Sequence, residues 1–415
     1  MSTYGFFNFL GNLFASKKSS SVISATPKRK RSSTPTPKAS PRPKVRNIPH
    51  GGWLDAVEES SSGRDLKVYD TTGEVLKLGA KDEKGSGGEG TVYELPLKNN
   101  KFLIKIYKDE TLKDAREMAE LRKRIISMLN IPQCANMPFL AWPVMPAMNA
   151  RKEIIGFVMH KCTGHSFLTL RGPRFIKQRF PGWTRRELAL TALDFVKKVR
   201  LLAANNILIN DFNPANFLVN DKCEVTFIDC DSYQVPDGKG GVNITRTYFP
   251  SHVAPELLLN KRLLDAPRNI HQVEFGTALT VFNILMCGMH PYNYCDPSHT
   301  FACGTPEENL RNGRCPLGVG SGCMLPQGIW YKLWSWLTFE LKEIFITMFK
   351  DGHSNPAERP SLERLQKALE VLLFWMQKEP ERANLEPTRK KPAERKSSST
   401  GPTSGARRPF NVYTF

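Results

Sequence analysis

Residues 85–95 read GSGGEGTVYEL, and their order limits what the chain can build. Gly85, Gly87 and Gly90 stand at the spacing G-x-G-x-x-G, with Gly88 inside the motif and Val92 two positions beyond it. Glycines that open a helix would point to a dinucleotide-binding crossover. Here a β-prone run, 91–95, follows instead. The expectation is therefore a β-hairpin whose glycines let backbone N–H groups approach phosphate oxygens without a Cβ in the way. Taken alone, the motif reads equally well as a flexible β-turn.

A lysine sharpens the choice. Lys105 sits inside the run 101–107, KFLIKIY, which reads as a compact apolar strand. An ammonium group there is costly unless it meets a partner. Two partners suggest themselves: phosphates under the glycine loop, and a carboxylate from the helix expected at 112–129. Glu117 and Glu120 lie on that helix one turn apart. Leu121, Ile125 and Met128 would turn Glu120 inward, so Glu120 is the favoured partner and Glu117 the second. The bland alternative is a lysine on the outer face of the strand.

Further on, 209–219 reads INDFNPANFLV and 227–231 reads FIDCD. Asp211 and Asn216 bracket a proline between a helix and a strand, and Asp229 and Asp231 close the next strand. Magnesium takes hard oxygen ligands and accepts few from protein. Asn216 and Asp229, with phosphate oxygens, would suffice; Asp231 is either a second metal carboxylate or a cap. Asp211 is left to orient a hydroxyl and accept its proton.

Along the chain, 74–78, 91–95, 101–107 and 154–160 read as strands. After residue 164 the pattern turns helical, at 186–204, 275–287, 330–349 and 361–376, broken by short strands at 217–219 and 225–228. This is an α+β arrangement, with a small β-rich lobe over 53–160 and a helical lobe over 161–376. Residues 1–52 and 377–415 are rich in Ser, Thr, Pro, Lys and Arg and are expected to be disordered basic tails. Residues 1–50 hold about ten Lys and Arg without an acidic residue, and 376–415 carry about five net positive charges, so only about +4 of the formal +19 belongs to the body. The aromatic segment 1–14 reads as an amphipathic anchor or a partner-docking segment, and 28–31 as solvated basic tail, expected to bind polyanions weakly.

These motifs together resemble a protein kinase catalytic domain. The loop 85–90 matches the Gly-rich loop, Lys105 the strand lysine, 211–216 (DFNPAN) the sequence D-L-K-P-E-N, and Asp229 the metal-binding Asp of D-F-G. Ala254-Pro255-Glu256 matches A-P-E, and Arg359 the late arginine that pairs with that glutamate. The resemblance covers about 75–375, with the motifs in order. More narrowly, the sequence is similar to divergent bacterial kinase-like proteins encoded beside PP2C phosphatases and von Willebrand A proteins in tellurite-resistance-type clusters. It implies a two-lobed fold, ATP and Mg2+ as cofactors, protein substrates, Ser/Thr specificity and a PP2C-type phosphatase as partner. By position it implies catalytic roles for Asp211, Lys105, Glu120 and Asn213, nucleotide contacts from Gly85, Gly87, Gly88, Gly90, Val92 and Lys105, and metal contacts from Asn216, Asp229 and Asp231.

Four departures stand against the pattern. H-R-D reads Ile209-Asn210-Asp211, which removes the basic pocket for a phosphorylated activation loop and implies a non-RD enzyme. The lysine of D-L-K is Asn213, the glycine of D-F-G is Asp231, and the helical aspartate that anchors the catalytic loop falls at Val273, beside Glu274. They motivate an alternative, a pseudokinase that binds nucleotide as an interaction module. A small-molecule phosphotransferase is disfavoured by the A-P-E match and Arg359, and a nucleic-acid-binding role rests on the tails alone. Cys295, Cys303, Cys315 and Cys323 lack the close pairs of a zinc site and are read as free thiols. An odd count of nine cysteines, scattered along the chain, suits a reducing, cytoplasmic setting. No apolar run is long enough to span a membrane.

Overall fold

The computed structural model describes residues 66–95, 101–293, 304–318 and 328–388. The basic segment 1–52, the aromatic segment 1–14, and Cys295, Cys303 and Cys323 lie outside these residues.

The first lobe is a seven-stranded antiparallel sheet. Its strands are β1 (Leu66–Tyr69), β2 (Val75–Leu78), β3 (Glu83–Ser86), β4 (Gly90–Glu94), β5 (Phe102–Tyr107), β6 (Pro143–Met148) and β7 (Ile154–His160). They lie in the order β2-β1-β6-β7-β5-β4-β3. The glycine motif closes the β3–β4 hairpin, with the Gly87 N–H donating to the Gly90 carbonyl at 2.9 Å. β5 runs between β4 and β7, with Lys105 opposite Val92 on one side and Phe157 on the other. The strand is buried from Ile104 to Tyr107, so the lysine is inside. Gly156 permits this close packing, because a Cβ there would lie 2.1 Å from the Lys105 carbonyl oxygen.

Helix α1 (Ala115–Leu129) crosses this sheet at β6. The single helix expected over 112–129 is in fact two, because Asp114 stops the first turn and caps α1 by accepting from the N–H groups of Arg116 and Glu117. Met118, Leu121, Ile125 and Met128 are buried at helical spacing, and Arg124 is buried among them.

The second lobe is built on α2 (Arg185–Ala204), α3 (Ile270–Leu285), α4 (Phe339–Ile346) and α5 (Leu362–Lys378). Capping boxes open α2 at Thr184–Glu187 and α3 at Asn269–Gln272. The helix expected at 330–349 is interrupted, since Thr338 caps a new start by accepting from the Leu341 N–H. Short strands β8 (His165–Ser166), β9 (Phe217–Val219) and β10 (Val225–Phe227) form a second sheet, and β11 (Val235–Pro236) pairs with β12 (Val242–Asn243). The folded body continues past the boundary expected at 377. Arg382 and Leu385 are buried, the Arg382 guanidinium donates to the Trp336 carbonyl, and the Trp336 indole donates to the Thr388 carbonyl at 2.5 Å. An apolar Leu385 and a stacking Arg382 supply the contacts that composition alone hides.

Two cores form. The larger joins both lobes, from Tyr107, Trp142 and Phe157 through Phe195, Phe217 and Phe227 to Phe282 and Phe345. The smaller lies on the far face of the first sheet, around Val68, Ile104 and Val158. Among the described residues, no helix is long and apolar enough to cross a membrane.

Candidate active site

The interface of the lobes brings four expected residues together. Lys105 Nζ donates to Asp229 Oδ1 at 2.6 Å and to both oxygens of Asp231, at 3.0 and 2.9 Å. Asp211 Oδ2 accepts from Asn216 Nδ2 at 2.9 Å, and the Ile228 N–H donates to the Asn216 carbonyl at 2.9 Å. The second bond sets the start of the Asp229 loop against Asn216. Asp229 itself takes a left-handed backbone, with φ of 59° and ψ of 38°. Asp and Asn adopt this region more readily than other non-glycine residues.

The structure corrects the expectation for Glu120. Its carboxylate faces away from Lys105 and pairs with Arg246 at 2.8 Å and Arg116 at 3.6 Å. Glu117 and Glu120 instead line a cleft of about 460 Å³ facing Ile244, Thr245, Arg246 and Thr247. The helical residue that does reach the site is Arg124. Its Nε donates to the Asp231 carbonyl at 2.6 Å and its Nη1 to the Ile244 carbonyl at 3.1 Å. Asp231 is corrected too. Its side chain is 1% exposed, and both oxygens are engaged by Lys105, with Tyr107 Oη donating a further bond at 2.7 Å. It is therefore not free to serve as a second metal carboxylate.

Charge follows this geometry. Burial alone would depress the Lys105 pKa, but the charges of Asp231 and Asp229 and their hydrogen bonds outweigh it and leave it raised. Burial raises Asp231, and Lys105 more than reverses this, so Asp231 is held ionised below its ordinary range. Asp229 is raised, by burial and then by the charge of Asp231. Asp211 is pushed up to about 6, first by burial and then by Asp229, against the opposing bonds from Asn216 and the Asn213 backbone. Its Oδ1 is buried without a hydrogen-bond partner. Buried polar atoms are seldom left so, and a carboxylate oxygen in that state is suited to accept a proton from an incoming donor.

The glycine loop is open where a nucleotide would lie. A Cβ at Gly85 or Gly88 would meet nothing within 4 Å, and one at Gly87 only the Gly90 carbonyl at 3.9 Å. At Gly90 a Cβ would lie 2.8 Å from the Ile106 carbonyl oxygen and 3.4 Å from Lys105 Cε, so glycine is required there to seat the lysine. Glu89, beside it, has a raised pKa, by burial first and by repulsion from Asp231 and Asp229 against attraction to Lys105. Asn213 Oδ1 accepts from the Ala215 N–H at 3.0 Å, which makes it the cap of its own turn.

The donor set fits Mg2+. The Asn216 amide gives its N–H to Asp211, which leaves its carbonyl oxygen as a hard ligand, and the Asp229 carboxylate is one-third exposed at the cleft. Among the described residues, no group of three or more His, Cys, Asp or Glu side chains is arranged to hold a metal by itself.

Arg359 donates to both oxygens of Glu256, at 2.9 and 2.7 Å, as the resemblance implies. Its guanidinium is fully buried, donates to the Gly352 carbonyl, and stacks 4.9 Å from the centroid of the Phe275 ring.

The chain is similar to protein kinases over about half of its length. It is 26% identical over 231 residues to protein kinase YegI of Escherichia coli K12, a match spanning 55% of this chain and 34% of that protein. The protein of the same name from Escherichia coli O157:H7 is 25% identical over 228 residues. The dual specificity protein kinase shkB of Dictyostelium discoideum is 28% identical over 181 residues, 43% of this chain and 26% of that protein. The chain thus matches only about a third or less of the length of these relatives. No protein-family model matches the chain.

The sequence did not point to Tyr107 or Arg124 as parts of this site. Tyr107 follows Lys105 by two positions, which on a strand puts both on one face, and this signal was readable. Arg124 stands among the apolar positions of α1, and an arginine there is a second readable signal.

Proposed function

We propose that the chain is an ATP- and Mg2+-dependent protein kinase that transfers the γ-phosphoryl group to Ser or Thr hydroxyls. The observation that carries this reading is the convergence of Lys105 with Asp229 beside an Asp211 whose Oδ1 is unpartnered. The kinase-named relatives support it. In this reading Gly85, Gly87, Gly88 and Gly90 cover the phosphates, Val92 packs above the base, and Lys105 draws phosphate oxygens into line. Mg2+, held by Asn216 and Asp229, would offset the charge on the phosphate oxygens. Asp211 orients the substrate hydroxyl and takes its proton as the oxygen bonds to the γ-phosphorus. The bond to the bridging oxygen breaks and ADP leaves.

The test is incorporation of label from ATP into the protein itself and into generic substrates, with Asp211→Ala and Asp229→Ala in parallel. Both variants should lose at least a hundredfold of the wild-type rate, with label on phosphoserine and phosphothreonine. Equal labelling of all three would remove the assignment, and phosphotyrosine would extend it toward the dual specificity named for the Dictyostelium relative.

One observation favours a second reading. Asn213 caps its own turn and brings no cation to the γ-phosphate, as a pseudokinase would tolerate. That reading predicts nucleotide-dependent stabilisation without turnover. The remaining parts of the proposal rest on resemblance and composition: a PP2C-type phosphatase as partner, weak polyanion binding by the tails, and a cytoplasmic setting. The six cysteines Cys134, Cys162, Cys223, Cys230, Cys287 and Cys315 are free, which suits the last of these.

A further inference from the structure

We propose that Asp231, rather than a carboxylate on α1, is the residue that positions Lys105, and that α1 serves the site through Arg124. The inference rests on Lys105 being the lysine that meets phosphate.

The geometry assigns the role by exclusion and by fit. Glu120 is about two-fifths exposed and ion-paired with Arg246 and Arg116. Asp231, by contrast, is buried and gives Lys105 both oxygens. Lys105 and Tyr107 lie two apart on β5, so one face of one strand delivers both donors to this carboxylate. The carboxylate cannot easily swing away. Arg124 holds the Asp231 carbonyl, and Ser232 Oγ and N–H both donate to the Asp229 carbonyl, at 2.8 and 3.2 Å, closing the turn.

The two aspartates then divide the work. Asp229 is one-third exposed and stands at the cleft, so it can turn to a metal, whereas Asp231 is enclosed and keeps the lysine in place. Removing one member of a buried ion pair leaves an uncompensated buried charge, which makes such an anchor firm. Lys105 and the metal carboxylate are thereby set by one short loop. Their alignment does not depend on the tilt of α1 through Glu120.

The test reads the lysine directly. Full-length protein is trace-acetylated with acetic anhydride at pH 10, where Lys105 stays protonated in the wild type, and its labelling rate is followed by peptide mass spectrometry. Asp231→Asn, nearly isosteric, should raise the labelling rate of Lys105 tenfold or more. Arg124→Met, which frees the Asp231 backbone without touching either charge, should raise it by less. Glu120→Gln should label at the wild-type rate. The inference is overturned if Glu120→Gln raises the rate, or if Asp231→Asn leaves it unchanged. Should Asp231→Asn fail to fold, Arg124→Met decides, and a wild-type rate there counts against the proposal. No phosphoryl transfer enters this readout, so an inactive protein with the expected rates would sink the kinase reading and leave the anchor standing.

Discussion

The Asp211 carboxylate is asked to ionise in a place that resists it. Its pKa of about 6 comes from burial and from the nearby Asp229 charge. A base must be unprotonated to act, so turnover should fall as pH drops through about 6, with kcat/KM tracking a single ionisation. The same shift has a stability consequence of opposite sense. A carboxyl whose folded pKa lies above its unfolded value of 3.8 binds protons better in the native state. Stability is then greatest below the unfolded pKa and declines as pH rises toward 6, where the loss is complete. At about 1.4 kcal/mol per unit, holding Asp211 ionised costs roughly 3 kcal/mol at neutral pH. Asp211→Asn should abolish turnover and raise unfolding free energy by about 2 kcal/mol at pH 8, with little gain at pH 4. Urea denaturation at the two pH values checks this, and a destabilised variant at pH 8 would contradict the burial argument. Asp211, Asn216, Asp229 and Lys105 were all legible in the sequence, because such residues are out of place in apolar strands and tight loops unless used. The partner of Lys105 was not. Choosing Glu120 required the rotation of α1, and a single residue, about 100° of turn, separates the buried Leu121 from Glu120 facing Arg246.

The elements show where a missing polar anchor went. Val273 on α3 is 1% exposed and offers the catalytic loop no hydrogen bond, which the sequence flagged as a departure. The loop is seated by packing instead. Phe212, the neighbour of Asp211, lies so close to Gly276 that a Cβ there would fall 2.3 Å from its ring. The ring is backed by Phe217, at a centroid distance of 6.2 Å, so it has little room to retreat. Gly276→Ala would gain up to about 1 kcal/mol in helix propensity and lose about 1–3 kcal/mol to overpacking. The expected result is a modest loss of stability with at least a tenfold fall in kcat and a smaller change in KM for ATP, because the displaced ring carries Asp211 with it. Steady-state kinetics beside urea denaturation separates these effects; an unchanged kcat would show that the loop is held by other contacts. Most elements were readable from periodicity, including β5, β7, α2 and α5. The prolines in β6 hid it, and the interruptions at Asp114 and Thr338 were hidden because capping competes with a helical pattern that otherwise runs through.

Across the whole molecule, the larger core does not respect the boundary between the lobes. Tyr107 and Phe157 on the sheet belong to the same cluster as Phe195, Phe227 and Phe282 below it. The Lys105 pairs with Asp229 and Asp231 cross the same boundary. A ligand gripped between Gly85–Gly90 backbone and Asp229 should therefore stabilise the body as one unit rather than either lobe alone. At a hundredfold excess over Kd, ligand linkage contributes about 2.7 kcal/mol. For a body of roughly 300 residues, with an unfolding entropy near 2 cal/mol/K per residue, that is a rise of about 4 °C in Tm. Calorimetry should show a single transition that moves as a whole with ATP and Mg2+, and Asp229→Ala should lose most of the metal-dependent part. Two transitions, of which nucleotide moves only one, would mean that the shared core couples the lobes less than its composition implies. A shift without turnover would instead leave the core argument intact and favour the nucleotide-binding module over the enzyme.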